Sequence, residues 1–326
     1  HYMTGDGNHH RMVEVDMMGN TIHNWDMLER GYTMHHAISQ DKQGNILATV
    51  SKTSAKIANG KDVRINDFII RMDPEKGEIL QEWDLVNMLD SARYGMTDYN
   101  LTADPYAQNA SNWAHNNGIV EWGNDYLATA RYQGIFKFNK AGGIEWIISP
   151  HGYWRDRYLK LLLNPLHADG TPITDPDVIA GTKNCDDFEW PWGCHTAVPL
   201  PNGHIFYFNN GYGRNFKLDF TDRKNVYTCG IEYEVDEVNR TVRQVWQYGK
   251  ERGTAYFTPA RSGVQYLEQT GNRLICPGMS NVLSNGNRGA RVTEVDPETQ
   301  EIVFELELED AIYQRVYRMS LYPDNQ

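Results

Sequence analysis

GCHTAVPLPNGHIFYFNNG, residues 193–211, reads as a β-strand, a Pro-Asn-Gly turn and a second strand rich in aromatics. At the mouth of this hairpin stands His195, between Cys194 and Thr196. A lone histidine on a strand is most often a satisfied polar group, so the weight of His195 depends on recurrence. HHAISQDKQGNILATV (35–50) and CHTAVPLPNGHIFYF (194–208) align without gaps: His36 and His195 each precede the turn glycine, Gly44 or Gly203, by 8 residues. AHNNGIVEWGNDYLATA (114–130) follows from His115 with a slightly longer turn, and SGVQYLEQTGNRLICPG (262–278) and YRMSLYPDN (317–325) set Ser262 and Tyr317 at the matching places.

A second unit, strand-turn-strand closing on an aromatic, also recurs. It is VEVDMMGNTIHNW, IIRMDPEKGEILQEW, FKFNKAGGIEW, YEVDEVNRTVRQVW and TEVDPETQEIVFEL, ending near Trp25, Trp83, Trp146, Trp246 and Phe304. An inner hairpin followed by such an outer one is a four-stranded blade, so the chain is predicted to be all-β, a β-propeller with five inner strands visible. Helical periodicity is weak outside patches near 84–95 and 154–163. Inner strands line a propeller's channel, so His36, His115, His195, Ser262 and Tyr317 are expected to meet at its mouth.

The net charge of −12 and pI near 5.4 argue against a nucleic-acid or anionic-membrane partner. No apolar run has the length a membrane helix needs. The four cysteines show no CxxC spacing, so neither a zinc cage nor a thioredoxin motif is suggested. A Cys185–Cys194 bridge and buried free thiols fit the sequence equally. Because the chain begins at His1 rather than Met, removal of an upstream segment is expected.

Three imidazoles can hold a catalytic zinc. They can instead supply a nucleophile and acid–base groups. Arg131, in YLATARYQGIFKF, would repel a divalent metal but suits a tetrahedral oxyanion, and no carboxylate shares the histidine register. Of Trp113, Trp154, Trp190, Trp192, Tyr94 and Phe257, placed in long loops near the mouth, a few are expected at the rim, where they can stack on an aromatic substrate. Three functions remain open at this point: chemistry on an anionic group carried by an aromatic body, a metal-dependent hydrolase or lyase with His36, His115 and His195 as ligands, and a non-catalytic propeller binding a partner through its loops.

HHAISQDKQGN, WAHNNGIVEWGNDYLATARYQGIFKFN and above all CHTAVPLPNGHIFYFNNGYGR resemble the bacterial arylsulfate sulfotransferases, which move a sulfuryl group between phenols without the nucleotide sulfate donor. The resemblance runs in order through the chain to YQRVYRMSLY. It implies a six-bladed propeller, export to the periplasm or beyond, no cofactor, an aryl sulfate donor, a phenol acceptor and a ping-pong reaction through a sulfohistidine. By position it makes His195 the nucleophile and sets His36, His115, Asn117 and Arg131 on the sulfuryl oxygens, with Ser262 and Tyr317 completing the ring. His36 also becomes the proton donor to the leaving phenolate. A nucleophilic histidine must be neutral, so activity should fall below about pH 6.5. Two departures stand out. The family usually carries an N-terminal β-sandwich, whereas only HYMTGDGNHH precedes the first repeat, so residues 1–326 are expected to be one propeller domain lacking that sandwich and part of the first blade. Cys194 replaces an expected amide-bearing residue, and strand alternation points its thiol away from the channel. Homodimerisation is left open, since no long amphipathic helix offers a seam.

Overall fold

Most of the sequence alternates short apolar runs with Gly, Asn and Asp turns, and in the computed structural model these runs become five sheets laid down in chain order. The structure describes residues 2–4, 10–59, 62–93, 113–218, 220–279, 283–310 and 312. The first sheet holds β1 (Tyr2–Thr4), β2 (Arg11–Val15) and β3 (Thr21–Asp26). The second is β4 (Thr33–Gln40), β5 (Ile46–Asn59), β6 (Asp62–Met72) and β7 (Ile79–Asp84), and the third β8 (Asn116–Trp122), β9 (Asp125–Ala130), β10 (Gly134–Phe138) and β11 (Ile144–Ile148). The fourth contains β12 (Asn164–Leu166), β13 (His195–Pro199), β14 (Ile205–Asn209), β15 (Cys229–Asp236) and β16 (Thr241–Tyr248), and the fifth β17 (Gly263–Tyr266), β18 (Arg273–Cys276), β19 (Gly289–Val295) and β20 (Ile302–Glu309). Pairing is antiparallel throughout, except that β12 adds in parallel to the outer edge of β16. The two helical patches reduce to single turns, α1 (Leu85–Met88) and α2 (Asp156–Leu159).

Successive sheets pack face to face, which is why middle strands such as Ile205–Asn209 are buried on both faces and read as continuous apolar runs. Met12, Trp25, Ile46 and Ile70 fill the layer between the first and second sheets, and Leu47, Trp83, Tyr126 and Phe136 the next. Leu127, Ile148, Tyr207 and Tyr233 then join the third sheet to the fourth, and Phe206, Phe208, Val264 and Ile275 the fourth to the fifth. The leading strands β4, β8, β13 and β17 touch in that order.

The outer repeat has a mechanical meaning. Trp83 Nε1 donates to Lys140 O (3.0 Å), Trp146 Nε1 to Glu237 Oε1 (2.8 Å) and Trp246 Nε1 to Pro297 O (3.0 Å), so each indole latches onto the outer turn of the following sheet. Trp25 does the same by packing alone: a Cβ on Gly77, at φ +66°, would lie 2.4 Å from its Cδ1. Phe304 is 49% exposed, because among the described residues no turn follows for it to engage. Truncating the most deeply buried latch, Trp146→Ala, is expected to destabilise the fold by about 3–5 kcal/mol, read as a lowered urea midpoint at unchanged slope. The fifth inner strand expected around Tyr317 lies outside the described residues, as does Tyr94.

Candidate active site

Three of the four described leading strands, β4, β8 and β13, are interrupted by a bulge at the histidine register. Pairing slips between Met34 and Ile38, between Asn116 and Gly118, and between His195 and Ala197. At or beside these slips the backbone turns left-handed: His36 has φ 52°, His115 55° and Thr196 45°, with Arg261 at 63° and Ser262 at 133° ahead of β17. Left-handed backbone costs a non-glycine residue roughly 1–3 kcal/mol, and such bulges re-aim side chains beside functional sites. His36 therefore sits mid-strand and His115 just before β8. Thr49, in NILATV, donates to His35 O and accepts from Ala37 N (3.0 Å), closing the first bulge. Thr129, in DYLATA, donates to Asn117 Oδ1 (2.6 Å) at the second. Gly118 permits this approach, since a Cβ there would lie 2.3 Å from Thr129 Oγ1.

The bulges bring the three imidazoles together. One nitrogen from each of His36, His115 and His195 falls within 4.8 Å of the others, and His36 Nε2 lies 3.0 Å from His115 Nε2. His195, 3% exposed, is oriented by a residue sequence reasoning missed. Asn210 Nδ2 donates to Thr258 O (2.8 Å) and Arg261 O (3.2 Å), which leaves Asn210 Oδ1 as acceptor, 2.6 Å from His195 Nδ1. Gly193 O lies 3.1 Å from the same nitrogen. Facing two carbonyl oxygens, Nδ1 carries the proton and Nε2 the in-plane lone pair. Gly211 makes this possible, because a Cβ there, at φ +67°, would stand 2.1 Å from Tyr227 O.

Behind His36 lies a second group absent from the sequence reading. His35 Nδ1 is 3.1 Å from His36 Nδ1, and His35 Nε2 is 3.6 Å from Asp67 Oδ1. Asp67 Oδ2 accepts from Asn116 N (3.0 Å). A carboxylate thus does stand close to the histidines, but it arrives on β6 rather than on a leading strand. Arg131 follows β9 directly, 3% exposed; its Nη2 donates to Pro259 O (2.8 Å) and its guanidinium carbon is 4.6 Å from the Tyr212 ring centre. Its charge bears on His115 and, more weakly, on His36. Asn117 Nδ2 donates to Cys194 O (2.8 Å), tying β8 to β13. Ser262, 2% exposed, meets Asn210 Nδ2 at 3.5 Å.

Two expectations are corrected or refined. Cys185 and Cys194 are both free thiols; Cys194 is buried beneath β13, its thiol pushed up to about 12 by burial, while Cys185 points to Asp187. Trp113, Trp154, Trp190, Trp192 and Phe257 do not form a rim: all are buried. Indoles of this size gain more from burial in the loop layers than from exposure, and described rings beside the site include Tyr132, 6.0 Å from His115 between ring centres, and Tyr212 over Arg131.

Desolvation, with the neighbouring His115, His35, His195 and Arg131 charges adding to it, holds His36 well below the usual imidazole range; burial followed by Arg131, His195 and His35 does the same for His115. Both keep some exposed edge but lie deep among protein atoms. In the unfolded chain they take up protons below about pH 6.5, where the folded chain resists it. The unfolded state then binds more protons, so stability is full above that pH and falls as pH drops towards the folded values. The loss is up to about 1.4 kcal/mol per pH unit for each histidine. The urea midpoint should therefore decline below about pH 6.5, less steeply in a His36→Gln, His115→Gln double variant.

The sequence pattern of the Arylsulfotransferase (ASST) family matches residues 1–318. The chain belongs to that family. It is 28% identical over 344 residues to arylsulfate sulfotransferase AssT of Escherichia coli O6:H1, and 29% identical over 345 residues to the protein of the same name from Lelliottia amnigena. Each alignment covers 96% of this chain and 57% of the relative, so the chain spans little more than half the length of either. Among solved structures it is similar to BamB from Moraxella catarrhalis, at 8% identity and TM-score 0.32, over 93% of this chain and 84% of that one.

Proposed function

We propose that this chain transfers a sulfuryl group from a phenolic sulfate ester to a phenolic acceptor through a sulfohistidine on His195. The observation that carries the proposal is the Asn210 clamp, which holds the His195 ring at Nδ1 and turns Nε2 towards chemistry beside two further imidazoles and a guanidinium. In the first step the Nε2 lone pair attacks sulfur, the S–O bond to the aryl group breaks, and the phenolate takes a proton relayed through the His36–His115 pair, which regains it from solvent. In the second the acceptor phenol gives its proton through that pair to solvent while its oxygen displaces His195 from sulfur. Arg131 and the second amide hydrogen of Asn117 serve the equatorial sulfuryl oxygens, where charge spreads in the transition state. Ser262 and Tyr317 complete the site in this proposal. His35 and Asp67 line up behind His36 to stabilise it when it holds the proton.

The five sheets are read as blades of one propeller whose axis passes the leading strands, and the enzyme as exported. Three close imidazoles are also a zinc-binding set, but the adjacent guanidinium charge opposes a divalent ion. p-Nitrophenyl sulfate with and without phenol, in the presence of a chelator, separates the two. Phenol-dependent nitrophenol release that ignores the chelator supports sulfuryl transfer; release abolished by chelation and restored by zinc supports the metal reading.

A further inference from the structure

Among the described residues, metal-capable side chains converge in two places, and the second shares no residue with the histidine cluster: His167, Cys185 and Asp187, whose ligand atoms lie within 4.8 Å of one another. We propose that this trio is a zinc site, closed by a water molecule as fourth ligand. His167 Nδ1 stands 3.0 Å from Asp187 Oδ1, and Cys185 Sγ is 3.1 Å from the same oxygen. The carboxylate is pre-set by Ala168 N, which donates to Oδ2 at 2.9 Å. The imidazole is fixed by its own turn, where His167 N bonds Thr171 O and Gly170 N bonds His167 O, each at 2.9 Å. On the other side Phe188, 2% exposed and stacked on Tyr233, anchors the chain next to Asp187. His167 is 40% and Asp187 36% exposed, so an ion can reach the trio from solvent.

The donor set selects the ion. Thiolate and imidazole favour zinc over magnesium or calcium, and three protein ligands plus water is an ordinary zinc complement. On binding, the Cys185 S–H bond breaks, an S–Zn bond forms and the proton leaves to solvent, while His167 moves its proton to Nε2 by exchange with water. Nothing is oxidised or reduced, and affinity rises with pH because one proton is released. Cys185 and His167 are 18 residues apart, in a pattern without CxxC spacing, which is why the sequence does not announce the site. The ion would pin the turn after β12 to the segment that carries Trp190 and Trp192 into His195.

Chelator-treated full chain titrated with cobalt(II) tests this. The expected result is a single equivalent giving a thiolate-to-cobalt charge-transfer band in the near ultraviolet, erased by zinc. Cys185→Ser should remove that band, and His167→Ala, on a half-exposed turn, should keep the thiol but weaken binding about tenfold or more. His195→Asn should leave the band unchanged. No charge-transfer band in the folded wild type, or one that survives Cys185→Ser, overturns the site.

Discussion

Replacing His195 by alanine or asparagine should lower phenol-dependent release of nitrophenol from p-nitrophenyl sulfate by at least about 10⁴-fold, with the fold intact. The magnitude follows from the role. A nucleophile's loss removes the covalent route altogether, whereas removal of an oxyanion donor costs on the order of 10²–10³-fold. His195 is 3% exposed and its Nδ1 is held by the clamp described above, so asparagine can retain part of that bond while lacking Nε2. Melting temperature should therefore change little in His195→Asn. A residual rate within about tenfold of wild type would remove His195 from the chemistry and leave the cluster without its proposed purpose.

Asn210→Ala should cost about 10²–10⁴-fold in kcat with a small change in KM. The precedent in kind is loss of a residue that sets a catalytic imidazole's tautomer, which leaves the geometry in place but presents the wrong nitrogen. Here two backbone carbonyls fix the amide, the amide fixes Nδ1–H, and Nδ1–H leaves the lone pair on Nε2. Asn210→Asp retains an acceptor for Nδ1 and should recover part of the rate, while a purely structural role would predict the larger loss for the variant that places a charge beside carbonyl oxygens. Equal kcat values for wild type and Asn210→Ala would show that the tautomer is set elsewhere.

How far the sequence reveals this arrangement depends on which strand a residue occupies. His36, His115 and His195 were legible because all three sit on or directly before leading strands, at one distance from a turn glycine, and the bulge there repeats with the register. Asn210 was not, although it lies within NNG at the end of the same hairpin: an Asn-Asn-Gly run reads as turn chemistry, and only the left-handed Gly211 sends its amide back towards His195. Asp67 and His35 were missed for a related reason, since one arrives from β6 and the other shares a strand with His36 and should alternate away from it. The left-handed His36 breaks that alternation. A signal did exist in the paired Leu-Ala-Thr of ILATV and YLATA, whose threonines close two equivalent bulges. The outer tryptophans were legible as a repeat but not as latches, because their acceptors belong to the next sheet. The three-residue β12 could not be foreseen: Asn164–Leu166 contains a proline and follows no hairpin, and it joins the sheet only because β16 offers an outer edge.

The central claim is that sulfur becomes bonded to one particular nitrogen. Mixing the full chain with an aryl sulfate in the absence of acceptor, quenching in base and sequencing the peptides by mass spectrometry reads that bond directly. A sulfuryl group on His195, discharged when phenol is added before the quench, is the predicted result. Transfer at the normal rate with no such adduct, or an adduct carried by another residue, would contradict it.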